Sequence, residues 1–213
     1  MASLALLLPT SHAHAAPEQA PGDTITVPVG RALADLPVRE EDRAGYERSK
    51  FKHWLDADGD GCNTRAEVLL RDAVVAPTRS GRCTLTGGRW FSPYDDRTID
   101  GPSGLDIDHL VPLAEAWDSG ASAWSATERQ EYANDLIDSR DLVAVSAASN
   151  RSKADKDPAE WLPPAGGFRC TYVTNWITDK TRWQLSVDPT EASALRQILD
   201  GCPEGDVTVT LAR

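Results

Sequence analysis

Two β-prone runs followed by the start of a helix, within about fifty residues, limit most strongly what this chain can fold into. The run Leu105–Val111 alternates apolar and polar residues as a strand or turn does, and Leu142–Val145 is a second run of β-forming residues. Ser149 can cap a helix that carries Asn150 and that Pro158 must end. The pattern predicts an α+β fold, in which a small antiparallel hairpin and a helix are embedded in a largely helical surround.

Polar side chains cluster where these three segments meet. The segments read Asp106-Ile107-Asp108-His109-Leu110-Val111-Pro112, then Asp141-Leu142-Val143-Ala144-Val145, then Asn150-Arg151-Ser152-Lys153. Taken alone, an adjacent Asp and His is more often a satisfied hydrogen bond than a catalytic site. Taken together, the segments place a carboxylate and an imidazole at the end of a strand, near an amide and cations at a helix start. Such an arrangement can hold one divalent cation against a phosphodiester.

In order and spacing the three segments resemble the HNH, or His-Me finger, endonuclease superfamily, whose core is a ββα-metal unit. The chain looks closest to the secreted HNH proteins of actinobacteria. Its D-x-D-H-x-x-P and N-R-x-K-x-D patterns are also similar to the HNH module of CRISPR effector nucleases. The resemblance to the secreted group continues upstream from Trp54 to Arg65 and downstream through Trp161-Leu162-Pro163-Pro164, so it covers most of the chain beyond residue 16.

This resemblance implies roles for four residues of the motif. His109 is the implied general base, and Asp108 and Asn150 are the implied ligands of a divalent cation. Asp141 occupies the middle position, where the superfamily usually has an Asn that braces the loop between the strands, so the donor half of that bracing amide is missing. The implied cation is magnesium, with manganese or zinc as alternatives, and the implied substrate is DNA, with RNA as the alternative.

The chemistry of phosphodiester hydrolysis asks for these groups. A neutral histidine can take a proton from water near neutral pH, and carboxylate and amide oxygens are hard ligands that suit magnesium. Cations around the motif can either contact phosphates or be solvated helix charges: Arg140, Arg151, Lys153 and Lys156. Asp106 is expected on the same strand face as Asp108, but outside the main site.

The net charge of the chain opposes a polyanionic partner. It is -11 at pH 7, and self-repulsion of this kind weakens encounter with nucleic acid. The charges are unevenly distributed, however, because acidic residues crowd the N-terminal half whereas the four cations named above surround the motif. We therefore expect nucleic acid to bind locally, at the motif.

The N-terminal segment and the cysteines indicate export. Residues 1–16 contain the apolar run Leu4–Leu8 and end in small residues, which predicts a signal peptide, although the usual basic start is missing and a tail is the alternative. Four cysteines suit two disulfides in an oxidising compartment, with three pairings open. We favour the pairing of neighbours, Cys62–Cys83 and Cys170–Cys202, which closes moderate loops. A secreted protein without a membrane span is expected.

The rest of the chain predicts one domain. Residues 17–38 are expected to be an extended leader, and residues 39–213 a single nuclease domain with its ββα-metal core at 105–158. Within it, residues 39–76 form a predicted helical segment, with helices over 39–55 and 64–75. Short strands and turns are predicted over 77–104, and further helices from Pro112, from Ser125 to Ala133 and over Pro189–Leu199. His53 is expected to be a partly buried packing residue on the first helix.

A second metal-binding pattern occupies residues 56–67. It has the twelve-residue EF-hand spacing, in which the expected calcium ligands are Asp56, Asp58, Asp60, the backbone carbonyl of Cys62, Thr64 and Glu67. Against calcium, Asn63 stands where an apolar residue is usual, and no second hand follows. The alternative is a solvated Asp/Gly-rich turn that caps the next helix. Calcium here would stabilise the fold rather than take part in catalysis.

Three classes of function remain open at this point. The first is a secreted metal-dependent endonuclease, and the second is a non-catalytic extracellular calcium-binding or adhesion module on an inert HNH scaffold. The third, a secreted toxin, shares the chemistry of the first. The presence of Asp108, His109 and Asn150 together favours the enzyme.

Overall fold

The computed structural model describes residues 20–213, in which short strands and helices alternate. The strands are β1 (Thr24–Pro28), β2 (Ala73–Val75), β3 (Thr78–Ser80), β4 (Thr84–Thr86), β5 (Arg89–Ser92), β6 (Arg97–Asp100), β7 (Leu105–His109), β8 (Leu142–Ser146) and β9 (Asp206–Thr210). The helices are α1 (Val29–Asp35), α2 (Thr64–Arg71), α3 (Leu113–Asp118), α4 (Ala126–Tyr132), α5 (Ala147–Lys153), α6 (Arg169–Arg182) and α7 (Pro189–Leu199). The fold is therefore mixed α/β. The predicted signal peptide, residues 1–16, lies outside the described residues.

The strands form small antiparallel sheets. They pair as β1-β9, β2-β5-β6, β3-β4 and β7-β8. In the last sheet Asp108 lies opposite Val143 and His109 opposite Leu142, and α5 follows β8 directly. The two strands and the helix predicted around the motif are thus present, in the predicted order.

The predicted extended leader, residues 17–38, is wrong for its described part. β1 pairs with β9 along its whole length, from Thr24 opposite Thr210 to Pro28 opposite Asp206, and α1 follows immediately. The alternation of exposed and half-buried residues along β1 is typical of an edge strand. Its partner lies about 180 residues away in the sequence, which is why a local reading of composition missed it.

Helix α6 lies at the centre of the fold, and it was not predicted. Its Tyr172, Trp176 and Ile177 are fully buried. Lys180 is fully buried as well, and its ammonium group donates to the carboxylates of Glu115 and Glu191, each at 2.7 Å. A buried charge of this kind is tolerated only when it is paired and hydrogen-bonded. The polar residues that obscured the helical pattern of α6 in the sequence therefore belong to a buried ion-pair network.

The predicted helix over residues 39–55 is also wrong. The segment is irregular apart from one 3-10 turn at Arg48–Lys50, and Gly45 has a φ of 73°, in the left-handed region that a helix cannot use. Its aromatic residues recur near helical spacing for another reason: Tyr46 and Phe51 both pack on Trp117, with ring centroids 6.1 and 6.4 Å away. The segment is therefore ordered by packing on α3.

Most of the other predicted elements are confirmed. Residues 77–104 hold four short strands, α7 has the predicted bounds, and α4 begins with the predicted Ser125–Glu128 capping box. Helix α2 ends at Arg71, and Ala73–Val75 joins a sheet instead. The cap of α5 is Ser146, which accepts from the backbone N–H of Ser149, so Ser149 lies inside the helix. Both predicted disulfides, Cys62–Cys83 and Cys170–Cys202, are present.

No helix among residues 20–213 combines the length and the apolar content that crossing a bilayer requires.

Candidate active site

The predicted site residues meet at a cleft of about 410 Å³ between β7, α5 and the irregular segment before α2. We call it the His109 cleft. Its lining residues include Tyr46, Arg48, Asp108, His109, Asn150 and Arg151. The strand pair and α5 thus bring together the three residues, Asp108, His109 and Asn150, that the sequence predicts to act together.

His109 is held in one orientation by the backbone. Its Nε2 lies 3.0 Å from the carbonyl oxygen of Ala133, which can only accept, so Nε2 carries the proton and donates it. Nδ1 therefore carries the lone pair, and it has no hydrogen-bond partner among the described residues. The residue is only 6% exposed, and burial lowers the pKa of His109 to about 3. The imidazole is consequently neutral at neutral pH.

Asp108 lies at the buried wall of the cleft. One carboxylate oxygen accepts from the hydroxyl of Tyr94 at 2.6 Å, and the other accepts from the ammonium group of Lys153 at 2.9 Å. The same ammonium group donates to the carbonyl of His109 at 3.1 Å. Burial raises the pKa of the Asp108 carboxyl and lowers that of Lys153, and the attraction between the two charges offsets part of each shift.

Lys153 does not have the predicted role of a phosphate contact. Its side chain is fully buried beneath Asp108, where the last turn of α5 meets β7, so a nucleic acid cannot reach it. The charge instead compensates the buried Asp108 carboxylate and fixes the backbone at His109.

Asn150, which lines the cleft, is hydrogen-bonded to Asp106, which does not line it. The Asn150 amide group donates from Nδ2 to Asp106 at 3.3 Å, which leaves its oxygen, Oδ1, without a donor among the described residues. Asp106 also lies 3.4 Å from the guanidinium group of Arg151. The sequence interpretation left Asp106 outside the site, whereas the structure places it against two of the site residues.

The donor set at the cleft fits a divalent cation. Asp108 contributes a carboxylate whose oxygens each have a second lone pair beyond their present hydrogen bonds, and Asn150 contributes an amide oxygen that has no donor among the described residues. Both are hard oxygen ligands, of the kind that magnesium and manganese prefer.

Arg140 and Lys156, the other predicted phosphate contacts, are not among the residues that line the cleft. Arg140 pairs with Asp138, to which its Nε donates at 2.8 Å, and it also donates to the carbonyl of Thr208 at 2.9 Å. Lys156 donates to the carbonyl of Ser152 at 3.0 Å. Neither residue lines the His109 cleft, so the predicted contact is corrected to a structural role for Arg140.

Arg48, which the sequence interpretation did not single out, lines the cleft together with Arg151. Both are exposed, with 76% of the Arg151 side chain accessible. Arg48 lies in the segment 39–55, for which the sequence predicts a helix, some sixty residues before the motif, and no local signal connects it to His109. The cleft thus carries two accessible guanidinium groups on separate parts of the chain.

Asp141 braces the loop after β7 with its backbone. Its carbonyl accepts from the N–H of Leu110 at 2.9 Å, while neither of its carboxylate oxygens has a hydrogen bond among the described residues. Arg182 lies 3.2 Å away in ion-pair geometry. Burial and the neighbouring Asp179 raise the pKa of the Asp141 carboxyl well above its usual range. The bracing predicted at this position is therefore made without the side chain.

A family of known proteins matches most of the chain. Residues 65–198 match the family described as GmrSD restriction endonucleases, C-terminal domain, and this range contains His109, Asp108 and Asn150. The chain belongs to this family. Membership of the GmrSD C-terminal domain family supports a nuclease-related function.

A relative agrees with the predicted export of this GmrSD C-terminal domain protein. The chain is 44% identical over 171 residues to this relative, a protein of Arthroderma benhamiae (strain ATCC MYA-4681 / CBS 112371) named "Uncharacterized secreted protein". The match covers 80% of the chain and 82% of the relative. The predicted localisation is confirmed: the protein is secreted, and its two disulfides suit an oxidising compartment. No solved structure matches the chain.

Three carboxylates lie close together in the acidic loop, residues 56–67, of this GmrSD C-terminal domain protein. Oxygens of Asp56, Asp58 and Asp60 lie within 4.8 Å of one another, and burial together with Asp60 and Asp58 raises the pKa of Glu67. Arg79 pairs with Asp60 at 3.0 Å and competes with a cation for it. The predicted contribution of Thr64 is wrong, because its hydroxyl is buried and lies 2.7 Å from Asn134.

Calcium binding to this loop stays a prediction, which thermal unfolding can test. A cation that binds only the folded chain, at a hundred times its Kd, would add about 2.7 kcal/mol to the free energy of unfolding. We expect calcium to raise the melting temperature of the parent protein and to leave that of a Glu67→Gln variant, which loses the bidentate carboxylate of the loop, nearly unchanged. Asp96→Asn, a substitution in another exposed turn, serves as the control that keeps the response. A parent protein that melts at the same temperature with and without calcium would rule the loop out.

Proposed function

We propose that this protein is a secreted, metal-dependent HNH endonuclease that hydrolyses phosphodiester bonds in DNA, with RNA as the alternative substrate. The observation that carries the proposal is the placement of His109. The Ala133 carbonyl holds its Nε2, and the ring lines a cleft that it shares with Asp108 and Asn150. The description of the family supports the same class of reaction.

His109 is the proposed general base. Since Nε2 is occupied, Nδ1 is the atom that accepts the proton of the attacking water. The ring is neutral and therefore available, because burial holds the pKa of His109 at about 3 in the free protein. The negative charge of a phosphodiester bound in the cleft favours the protonated ring and raises its proton affinity. The substrate itself thus helps to make His109 an effective base.

Asp108 and Asn150 are the residues that would hold the cation. Magnesium is the first candidate, and manganese and zinc are the alternatives. When bound, a divalent cation stabilises the charge that develops on the phosphate and on the leaving oxygen. Lys153 and Tyr94 keep the Asp108 carboxylate in place from the protein side, and Asp106 orients the amide of Asn150.

Arg48 and Arg151 are the proposed phosphate contacts. Both side chains are exposed and line the cleft, and a guanidinium group binds phosphate through two parallel hydrogen bonds. On a protein of net charge -11 they supply two guanidinium groups at the point where a polyanion must bind, in a cleft that Asp108 and Asp155 also line.

A plasmid-nicking assay tests the proposal. We expect the purified full chain to convert supercoiled plasmid into nicked and linear forms in the presence of magnesium or manganese. A chelator should stop the reaction, and an excess of the metal should restore it, because the cation is held only by side chains that line an open cleft. Single-stranded RNA in the same buffers distinguishes the two substrates.

The variant Asn150→Ala sharpens this test. Loss of one of the two proposed ligands should raise the metal concentration that gives half-maximal cleavage, and the control Asp206→Asn, in the strand far from the cleft, should not. Absence of cleavage of DNA and RNA with every metal would contradict the proposal and favour a non-catalytic extracellular binding module.

A further inference from the structure

One side chain, Asn134, joins three parts of the chain behind the imidazole of His109. Its Oδ1 accepts from the backbone N–H of Leu55 at 3.0 Å and from the hydroxyl of Thr64 at 2.7 Å. Its Nδ2 donates to the carbonyl oxygens of Lys52 and Gln130, each at 2.7 Å. The amide therefore uses both of its donors and both sites of its acceptor, the full capacity of the group.

This amide is adjacent to the group that orients the base. Asn134 directly follows Ala133, whose carbonyl oxygen accepts from Nε2 of His109 at 3.0 Å. The bond to Gln130 keeps the end of α4 closed, and the bonds to Lys52 and Leu55 attach the irregular segment to it. The position of the Ala133 carbonyl thus depends on the contacts that Asn134 makes on both sides.

The segment that Asn134 holds packs directly on His109. Trp54 lies between the two attachment points, Lys52 and Leu55, and its ring centroid is 5.5 Å from that of the imidazole. Tyr132, just before Ala133, is a second aromatic neighbour of the ring, at 6.5 Å and an interplanar angle of 24°, and His53 is a third, at 6.3 Å. The orientation of the imidazole is therefore set by the Ala133 carbonyl and by aromatic rings from the two segments that Asn134 joins.

The backbone of Trp54 adopts a conformation that needs external support. Its φ is 61°, in the left-handed region that bulky residues rarely adopt. Conformations of this kind cost free energy, persist only where the surrounding structure over-determines them, and concentrate at functional sites. Here the surrounding structure includes the two hydrogen bonds of Asn134 that flank Trp54.

We propose that Asn134 is a positioning residue for the reaction. It fixes the Ala133 carbonyl and Trp54 around His109, and so keeps Nδ1 of the imidazole directed into the cleft. Asn134 does not line the cleft and acts only through these neighbours. The proposal rests on the proposed role of His109 as general base.

The variant Asn134→Asp tests this assignment. A carboxylate retains the acceptor for Leu55 and Thr64 but replaces the two donors by an acceptor that faces two carbonyl oxygens. Because a misplaced catalytic group costs up to about a hundredfold, we expect kcat to fall by roughly tenfold to a hundredfold. KM should change less than kcat, since Arg151 lies on α5 and the part of the segment around Arg48 is also held by the packing of Tyr46 and Phe51 on Trp117.

Nitrogen NMR of the His109 ring provides a readout that does not depend on cleavage. The parent protein should show one tautomer, with the proton on Nε2, and Asn134→Asp should show exchange between tautomers or ring orientations. The NMR result decides the positioning role even if the parent protein proves not to cleave nucleic acid. A folded Asn134→Asp variant with parental kcat and the parental single tautomer would overturn the proposal.

A pair of substitutions at Trp54 keeps the proposal falsifiable if Asn134→Asp does not fold. Glycine accepts a φ of 61° without strain, so Trp54→Gly removes the ring without distorting the backbone. We expect Trp54→Gly to lower kcat at least tenfold and Trp54→Phe, which keeps an aromatic ring, to restore most of it. Equal kcat values for the parent and Trp54→Gly would show that the segment held by Asn134 does not position His109.

Discussion

The substitution His109→Ala is expected to slow plasmid cleavage by at least about a hundredfold, the usual scale for loss of a general base. The reason is geometric: the ring lines the cleft together with Asp108 and Asn150, and its Nδ1 has no hydrogen-bond partner among the described residues. Initial rates of nicking under saturating magnesium measure the effect. Circular dichroism and the melting temperature of the variant show whether it has kept its fold.

His53 offers a comparison with the same side chain nearby. Its ring centroid lies 6.3 Å from that of His109, but its Nδ1 is bound to the carbonyl of Phe51 at 2.9 Å and it does not line the cleft. We expect His53→Ala to lower the rate less than about tenfold. A folded His109→Ala variant that cleaves at the parental rate would remove His109 from the mechanism, whatever the behaviour of His53→Ala.

The parts of the fold that could be predicted are those that local chemistry determines. The capping box at Ser125, the proline-led helix Pro189–Leu199 and the two β-prone runs of the motif depend on residues within a few positions of one another. The favoured pairing of neighbouring cysteines, which closes moderate loops, is also present. Each of these signals is local and does not depend on the conformation of the rest of the chain.

The parts that could not be predicted depend on distant partners. Strand β1 is stabilised by β9, and the segment 39–55 takes its conformation from Trp117 and Asn134 rather than from its own periodicity. Arg48 enters the site through this same segment. The site depends on residues distant in sequence for a physical reason. Orienting one imidazole requires contacts from several directions, and a single strand supplies only one of them.

The misassigned role of Lys153 has the same origin. A lysine three residues after Asn150 on a short helix can point to solvent or beneath the strand, and its sequence neighbours are the same in both cases. Asp108 and Tyr94, on other elements, decide that it is buried. The sequence thus identifies Lys153 as a charged residue of the motif. Only the packing determines whether its ammonium group contacts the substrate or a buried carboxylate.

The substitution Lys153→Met is expected to reduce the free energy of unfolding by about 3–5 kcal/mol, as is typical when one partner of a buried ion pair is removed. Methionine fills a similar volume, so the loss measures the uncompensated Asp108 carboxylate and the lost bond to the His109 carbonyl rather than a cavity. Chemical denaturation monitored by tryptophan fluorescence gives the value. The exposed Arg151→Met, two residues earlier on the same helix, should change stability by less than about 1 kcal/mol.

The double variant Lys153→Met with Asp108→Asn separates charge from packing. Removing the buried carboxylate as well should recover part of the lost stability, because no unpaired charge then remains at the cleft wall. The same variants distinguish the two readings of Lys153: Arg151→Met should weaken DNA binding and make it less dependent on salt, as loss of a phosphate contact does. If Lys153→Met instead remained as stable as the parent protein while its DNA binding lost salt dependence, the lysine would be a phosphate contact after all.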